Sequence, residues 1–234
     1  MPLDTFYEPF VWYVVFLFSV TLHEASHAFI ARRGGDETAY LGGQVSLDPL
    51  PHIRRSPFGM VVLPILSLLL YGWPIGFASA PYDPYWADRH PRRAGWMAAA
   101  GPASNLALTL AAGLFVRIGM ILGVFKLPQQ IGFSQIAQAV EPGIFSGIAF
   151  ILSIVFILNL VLTVLNLIPV PPLDGSGVVT LFMSDDTARK FNNFFNNPMF
   201  SMLGILIAWR IFSPIFRFMF SIAIKLLYPE ASYQ

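Results

Sequence analysis

Five consecutive residues concentrate the chemistry of this chain: His23-Glu24-Ala25-Ser26-His27. On an α-helix, residues four apart lie about 40° from one another around the axis, so both imidazoles face one side and reach one metal ion. Glu24, beside the first imidazole, is placed to take a proton from a water at that metal. With only 4 His in the chain, the chance of meeting this spacing at random is on the order of 0.001. The pattern also sits inside an apolar run, Phe10 to Ala31. There an ionisable group costs about 2.5 kcal/mol or more and is kept for function. A polar plug between helices would also satisfy two His and a Glu, but it has no need of the metal spacing.

With no Cys in the chain, a third ligand has to be His, Asp or Glu. Arg33 stands where an extended zinc motif would place a third His. Asp36, Glu37 and Asp48 follow in the polar stretch behind the helix. Asp174 is the better candidate, because it follows another long apolar run within the break Pro169-Val170-Pro171-Pro172-Leu173-Asp174-Gly175. That run ends on the same side as His27. Asp-Gly is also an ordinary turn dipeptide, so a surface-turn role for Asp174 stays open at this level.

The elements that must position these groups are membrane elements. Of 234 residues, 56% are hydrophobic and 12% charged, against about 25% charged in soluble domains. Mean hydropathy is +0.64. This excludes a water-soluble globule and a disordered chain, and the net charge of +1 gives no basis for nucleic-acid binding. Absence of Cys excludes disulfides and thiolate chemistry. Met1 to Glu8 carries no positive charge, so the first apolar run is expected to stay as a membrane helix and not to be a cleaved signal.

The expected fold is an all-α polytopic membrane protein: four to six transmembrane or re-entrant helices, a small β-hairpin, and one membrane-embedded domain over 1–234. Residues 10–31 are the zinc-motif helix and 34–93 hold loops and an interrupted apolar run, 58–77. Residues 94–122, 145–180 and 199–228 supply the remaining apolar segments. The 58–77 run contains Pro64 and Gly72-Trp73-Pro74 and has Arg on both flanks, which argues that it enters and leaves on one side. Seven of the 14 basic residues fall between Arg32 and Arg93, which places that stretch on the cytoplasmic side; the expected membrane is the plasma membrane of a prokaryote. Residues 199–228 contain Arg210, Pro214 and Arg217 and read as one bent span or two pieces. Ser184 to Pro198 reads as an interfacial helix. Residues 39–47 read as strand, turn and strand, an edge on which Gln44 and Val45 would hold an unwound substrate by β-addition.

Three motifs in this order and topology resemble the site-2 protease family of intramembrane zinc metalloproteases, in its compact form without a PDZ domain. They are His-Glu-x-x-His in a membrane helix, Gly101-Pro102-Ala103-Ser104-Asn105 in a later one, and Asn166-Leu167-Ile168-Pro169-Val170-Pro171-Pro172-Leu173-Asp174-Gly175 ending another. The likeness covers roughly 12–180. It implies one Zn²⁺ per chain on His23, His27 and Asp174, with Glu24 as catalytic base. It also implies a single-span membrane-protein substrate, such as an anti-sigma factor or membrane-held regulator, and selection by prior trimming or by a regulatory membrane partner. The chain departs from compact members at Asp48, where they carry Asn, and at Phe77-Ala78-Ser79-Ala80-Pro81, where they carry Lys-Pro.

Asn166 either hydrogen-bonds the developing oxyanion or packs as a helix amide. Asn105 serves close packing or contacts substrate. His52 and His90 are expected to be solvated or interfacial, and Arg117, Arg210 and Arg217 to reach lipid phosphate. A metal transporter would need ionisable groups at successive depths, which the apolar runs lack. A silent binder of transmembrane segments would have no need of Glu24.

Overall fold

The computed structural model describes residues 4–195 and 197–229; Met1 to Leu3 of the N-terminal reading and Asn196 of the interfacial stretch lie outside them. Helix α1 (Asp4–Arg33) is apolar almost all round and closes with Arg32 and Arg33, cations that suit the negative end of the helix dipole. Behind it the chain makes one helical turn, α2 (Thr38–Leu41), and then α3 (Pro49–Arg55), with Pro49 in its first turn and Asp48 accepting from Leu50 N–H.

The expected strand–turn–strand over 39–47 is therefore not formed. Asp36 accepts from both the N–H and the hydroxyl of Thr38, which starts a helical turn. Gln44 N–H then bonds back to Ala39 O within the same loop instead of to a facing strand. The short sheet lies elsewhere: β1 (Phe125–Lys126) pairs antiparallel with β2 (Gln138–Ala139).

The interrupted run forms a π-helical turn, Phe58–Val62, continuing into α4 (Leu63–Tyr71). At a rise of 1.5 Å per residue this limb is only about 21 Å long, short of the roughly 30 Å of a hydrocarbon core. Gly72, at φ +77, ends the helix in a conformation only Gly adopts freely. The chain then runs back beside the helix. Ile75 N–H donates to Ser67 Oγ at 2.7 Å, Phe77 N–H to Gly59 O at 3.1 Å, and Ser79 O accepts from Arg55 Nε at 3.0 Å. Start and finish of the hairpin thus lie at the same end, the geometry of a re-entrant segment.

Helix α5 (Pro84–Arg89) leads into α6 (Pro91–Ile121), which packs between α1 and α7 (Ile144–Asn166). After a proline-rich break come α8 (Asp174–Val179), a 3₁₀ turn, α9 (Asp185–Phe195) and α10 (Pro198–Leu227). Helix α10 continues unbroken through Pro214. Among the described residues four helices are long and apolar enough to cross a membrane, or five segments if α3 and the Phe58–Tyr71 helix, bent by 114°, are counted together.

Two apolar cores hold the helices. One, with Phe16, Met60 and Ile154, joins α1, the re-entrant hairpin and α7; the other, with Val116, Ile157 and Phe216, joins α6, α7 and α10. Outside them Leu69, Leu110, Ile121, Leu206 and Trp209 are more than half exposed, an apolar exterior that suits lipid. The chain is an integral membrane protein of the all-α polytopic class. Arg117 donates to Leu227 O at 3.1 Å, satisfying a carbonyl that the end of α10 leaves open.

Candidate metal centre

His23, Glu24 and His27 lie on the inner face of α1 and are buried. Asp174 opens α8, and the structure brings it to the two imidazoles across 150 residues of chain. Gly175 makes this return feasible, because a Cβ there would collide with the carbonyl oxygens of Leu167 and Ile168. The three ligating atoms form a tight triangle. Asp174 Oδ2 is 3.1 Å from His23 Nε2 and 3.3 Å from His27 Nε2, and the two nitrogens are 3.0 Å apart.

The far sides of the rings decide what those atoms are. His27 Nδ1 faces Met97 O at 2.7 Å and His23 Nδ1 faces Asn105 Oδ1 at 2.6 Å. Both partners are acceptors, so both rings carry the proton on Nδ1 and point a lone pair from Nε2 at the carboxylate. Asp174 Oδ2 is buried with no hydrogen-bond donor. Three acceptors at this separation are what a tetrahedral cation with bonds of about 2.0–2.1 Å requires. Space for it exists because α6 has Gly101 here: a Cβ would stand 2.5 Å from His23 Nε2 and would also strike His27. The donor set and the cradle fit zinc.

The other candidate carboxylates are engaged or distant. Asp36 accepts from Thr38 and from Asp83 N–H at 2.9 Å, Asp48 caps α3, and Glu37 is exposed. Among the described residues the metal-capable group is His23, His27 and Asp174. A cleft of about 610 Å³ opens on them, bordered by Glu24, by Asn166 at the end of α7, and by Ala78 and Ser79 of the hairpin.

Three expected site residues sit differently. Asn105, read as a close-packing residue or a substrate contact, is completely buried and holds His23. Gln44, read as part of a substrate-binding edge, is buried and donates to Ser79 O at 3.3 Å, tying its loop to the hairpin. Val45 is half-buried and has no strand edge. It borders a separate groove of about 570 Å³ with Leu22, Phe29 and Leu47 on the opposite flank of the motif helix. His52, expected to be solvated or interfacial, is 1% exposed and bonds Ser46 O at 3.0 Å, because α3 folds onto α1 and carries the ring inward. Met97 and Asn159 were not anticipated as part of the site. Met97 acts through its backbone, which leaves no trace in residue type, whereas Asn159 stands out as an amide in an apolar run.

A model of Peptidase family M50 matches residues 11–209. The chain belongs to this family. The M50 match takes in every residue of the triangle and its supports and ends within α10. Two similar proteins are both named "putative zinc metalloprotease": YwhC of Bacillus subtilis, 31% identical over 71% of this chain, and Rip2 of Mycolicibacterium smegmatis, 34% identical over 74%. The matched stretch spans 66% of the first and 57% of the second, so the chain corresponds to only part of the length of these relatives. No solved structure gives a significant match.

Proposed function

We propose that this M50 chain is an intramembrane zinc metalloprotease that cleaves peptide bonds within or near transmembrane segments of single-span membrane proteins. The single observation that carries the reading is the convergence of three buried acceptor atoms, on two distant helices, beside an unligated Glu24. One zinc per chain is held by His23, His27 and Asp174. When bound, it supplies Lewis-acid polarisation of the scissile carbonyl and makes water acidic near pH 7.

The chain's own residues do the rest. Glu24, at the wall of the cleft, accepts the proton of the attacking water and returns it to the leaving amine. Asn166, at the mouth of α7, turns its amide N–H to the oxygen that becomes negative. The proline-rich break and the hairpin strand 77–80 border the cleft where water enters. A substrate helix must unwind locally to expose its amides. Arg32 and Arg33 close α1, Arg54 and Arg55 close α3 and Arg93 lies in the first turn of α6, a group of cations that supports a cytoplasmic-facing site; the membrane is the plasma membrane of a prokaryote. The substrate class is an anti-sigma factor or another membrane-held regulator, delivered after trimming or by a membrane partner.

The test uses purified full chain in detergent and a transmembrane reporter substrate. Wild type is expected to carry about one zinc and to cleave. Glu24→Gln retains zinc and loses cleavage, and Asp174→Ala loses both. A wild-type protein that takes up no zinc, or a Glu24→Gln variant that cleaves at the wild-type rate, refutes the reading.

A further inference from the structure

Behind the metal centre a line of hydrogen bonds crosses three helices. Asn159 Nδ2 on α7 donates to Val155 O at 2.8 Å and to Ser19 Oγ on α1 at 3.0 Å. Asn159 Oδ1 accepts from Asn105 Nδ2 on α6 at 2.8 Å, and Asn105 Oδ1 accepts from His23 Nδ1 at 2.6 Å. Ser19, Asn105 and Asn159 are wholly buried, so the line is shielded from bulk water.

The direction of this line is dictated at its far end. A backbone carbonyl has lone pairs and no proton, so the Asn159 atom facing Val155 is the NH₂. The Asn159 oxygen must then face Asn105, which turns its own NH₂ toward it and its oxygen toward His23. Opposite an oxygen, His23 keeps its proton on Nδ1 and its lone pair on Nε2, where the triangle lies. His27 needs no such device, because Met97 O cannot rotate into a donor.

We propose that Asn159 is a positioning residue for the metal centre: acting through Asn105, it holds His23 in the tautomer whose Nε2 can ligate a cation. The proposal rests on the metal-binding reading above. Without Asn159, the Asn105 amide keeps only the longer bond from its Nδ2 to Ser19 O at 3.4 Å, so it turns over more readily and presents NH₂ to His23. The imidazole then carries its proton on Nε2, and the ligating lone pair is lost.

Zinc dissociation constants of the full chain, measured by chelator competition in detergent, test this. Asn159→Leu is expected to weaken zinc about tenfold and Asn105→Leu by 10- to 100-fold, roughly the range for outer partners of ligating His. The deciding comparison repeats Asn159→Leu in an Asn105→Asp background. A carboxylate offers oxygen whichever way it turns, so there the substitution changes the constant by no more than about twofold. Thermal unfolding of metal-free protein reports the packing loss separately, and a purely packing role would appear equally in both backgrounds. If Asn159→Leu aggregates, Asn159→Ala takes its place. Zinc affinity unchanged by the substitution, or weakened by the same factor in both backgrounds, overturns the proposal. A wild type without zinc instead overturns the metal-centre reading beneath it.

Discussion

Replacing Gly101 by Ala adds a single methyl group at the one point where α6 faces both imidazoles. That carbon would stand 2.6 Å from His23 Cε1 and 2.5 Å from His23 Nε2, with His27 Nε2 closer still. Carbon atoms prefer about 3.5–4.0 Å, so the helix or the rings must shift by roughly 1 Å. Overpacking of this kind costs about 1–3 kcal/mol, and here the added methyl also fills the space the cation needs. At 1.4 kcal/mol per decade, zinc binding should weaken by about 5- to 150-fold. Cleavage should fall by at least as much, since a misplacement near 1 Å can cost about a hundredfold in rate. Chelator competition gives the zinc constant and the transmembrane reporter gives the rate. Gly113→Ala, on the same helix, is the control: its Cβ would meet Phe156 Cε2 at 3.2 Å, far from the metal centre, and should leave zinc affinity within about twofold. Zinc affinity that survives Gly101→Ala at the level of this control would refute the cradle.

Gly175→Ala forces the Asp174 turn away from the Leu167 and Ile168 carbonyls; zinc content should drop as it does for Asp174→Ala, read by metal analysis of the purified protein. Removing the Gln44 tie to Ser79 by Gln44→Ala loosens the return limb of the hairpin that borders the cleft, so KM for the reporter should rise a few-fold at unchanged zinc content. Arg117→Leu leaves the Leu227 carbonyl without its charged donor, a loss of about 1.5–3 kcal/mol, seen as a lowered unfolding temperature with zinc affinity intact.

Much of the site is legible in residue order because its chemistry depends on local spacing. Two His four apart, with a Glu between them inside an apolar run, leave few alternatives to a metal on one helix face, and a Pro-rich break after an apolar helix marks where another ligand can enter. The hairpin is partly legible for the same kind of reason: Pro64, Gly72 and flanking Arg on both sides argue against an ordinary span. Fold class follows from composition, since so apolar a chain has only lipid as a suitable solvent.

Tertiary structure decided what spacing cannot carry. Apolar alternation over 39–47 looked like strands, but Asp36 captures Thr38 and starts a helical turn, and no partner strand lies alongside to reward an extended chain. His52 and Gln44 have the residue types of a surface loop, yet the packing of α3 and the hairpin carries both inward. Asn105 became a support for His23 only because Gly101 lets α6 approach α1 closely enough for its amide to reach the ring. The choice of Asp174 over Asp36 and Asp48 likewise needed three dimensions. All three are carboxylates in polar breaks, and only the turn at Gly175 delivers one of them, free of other donors, to the two nitrogens.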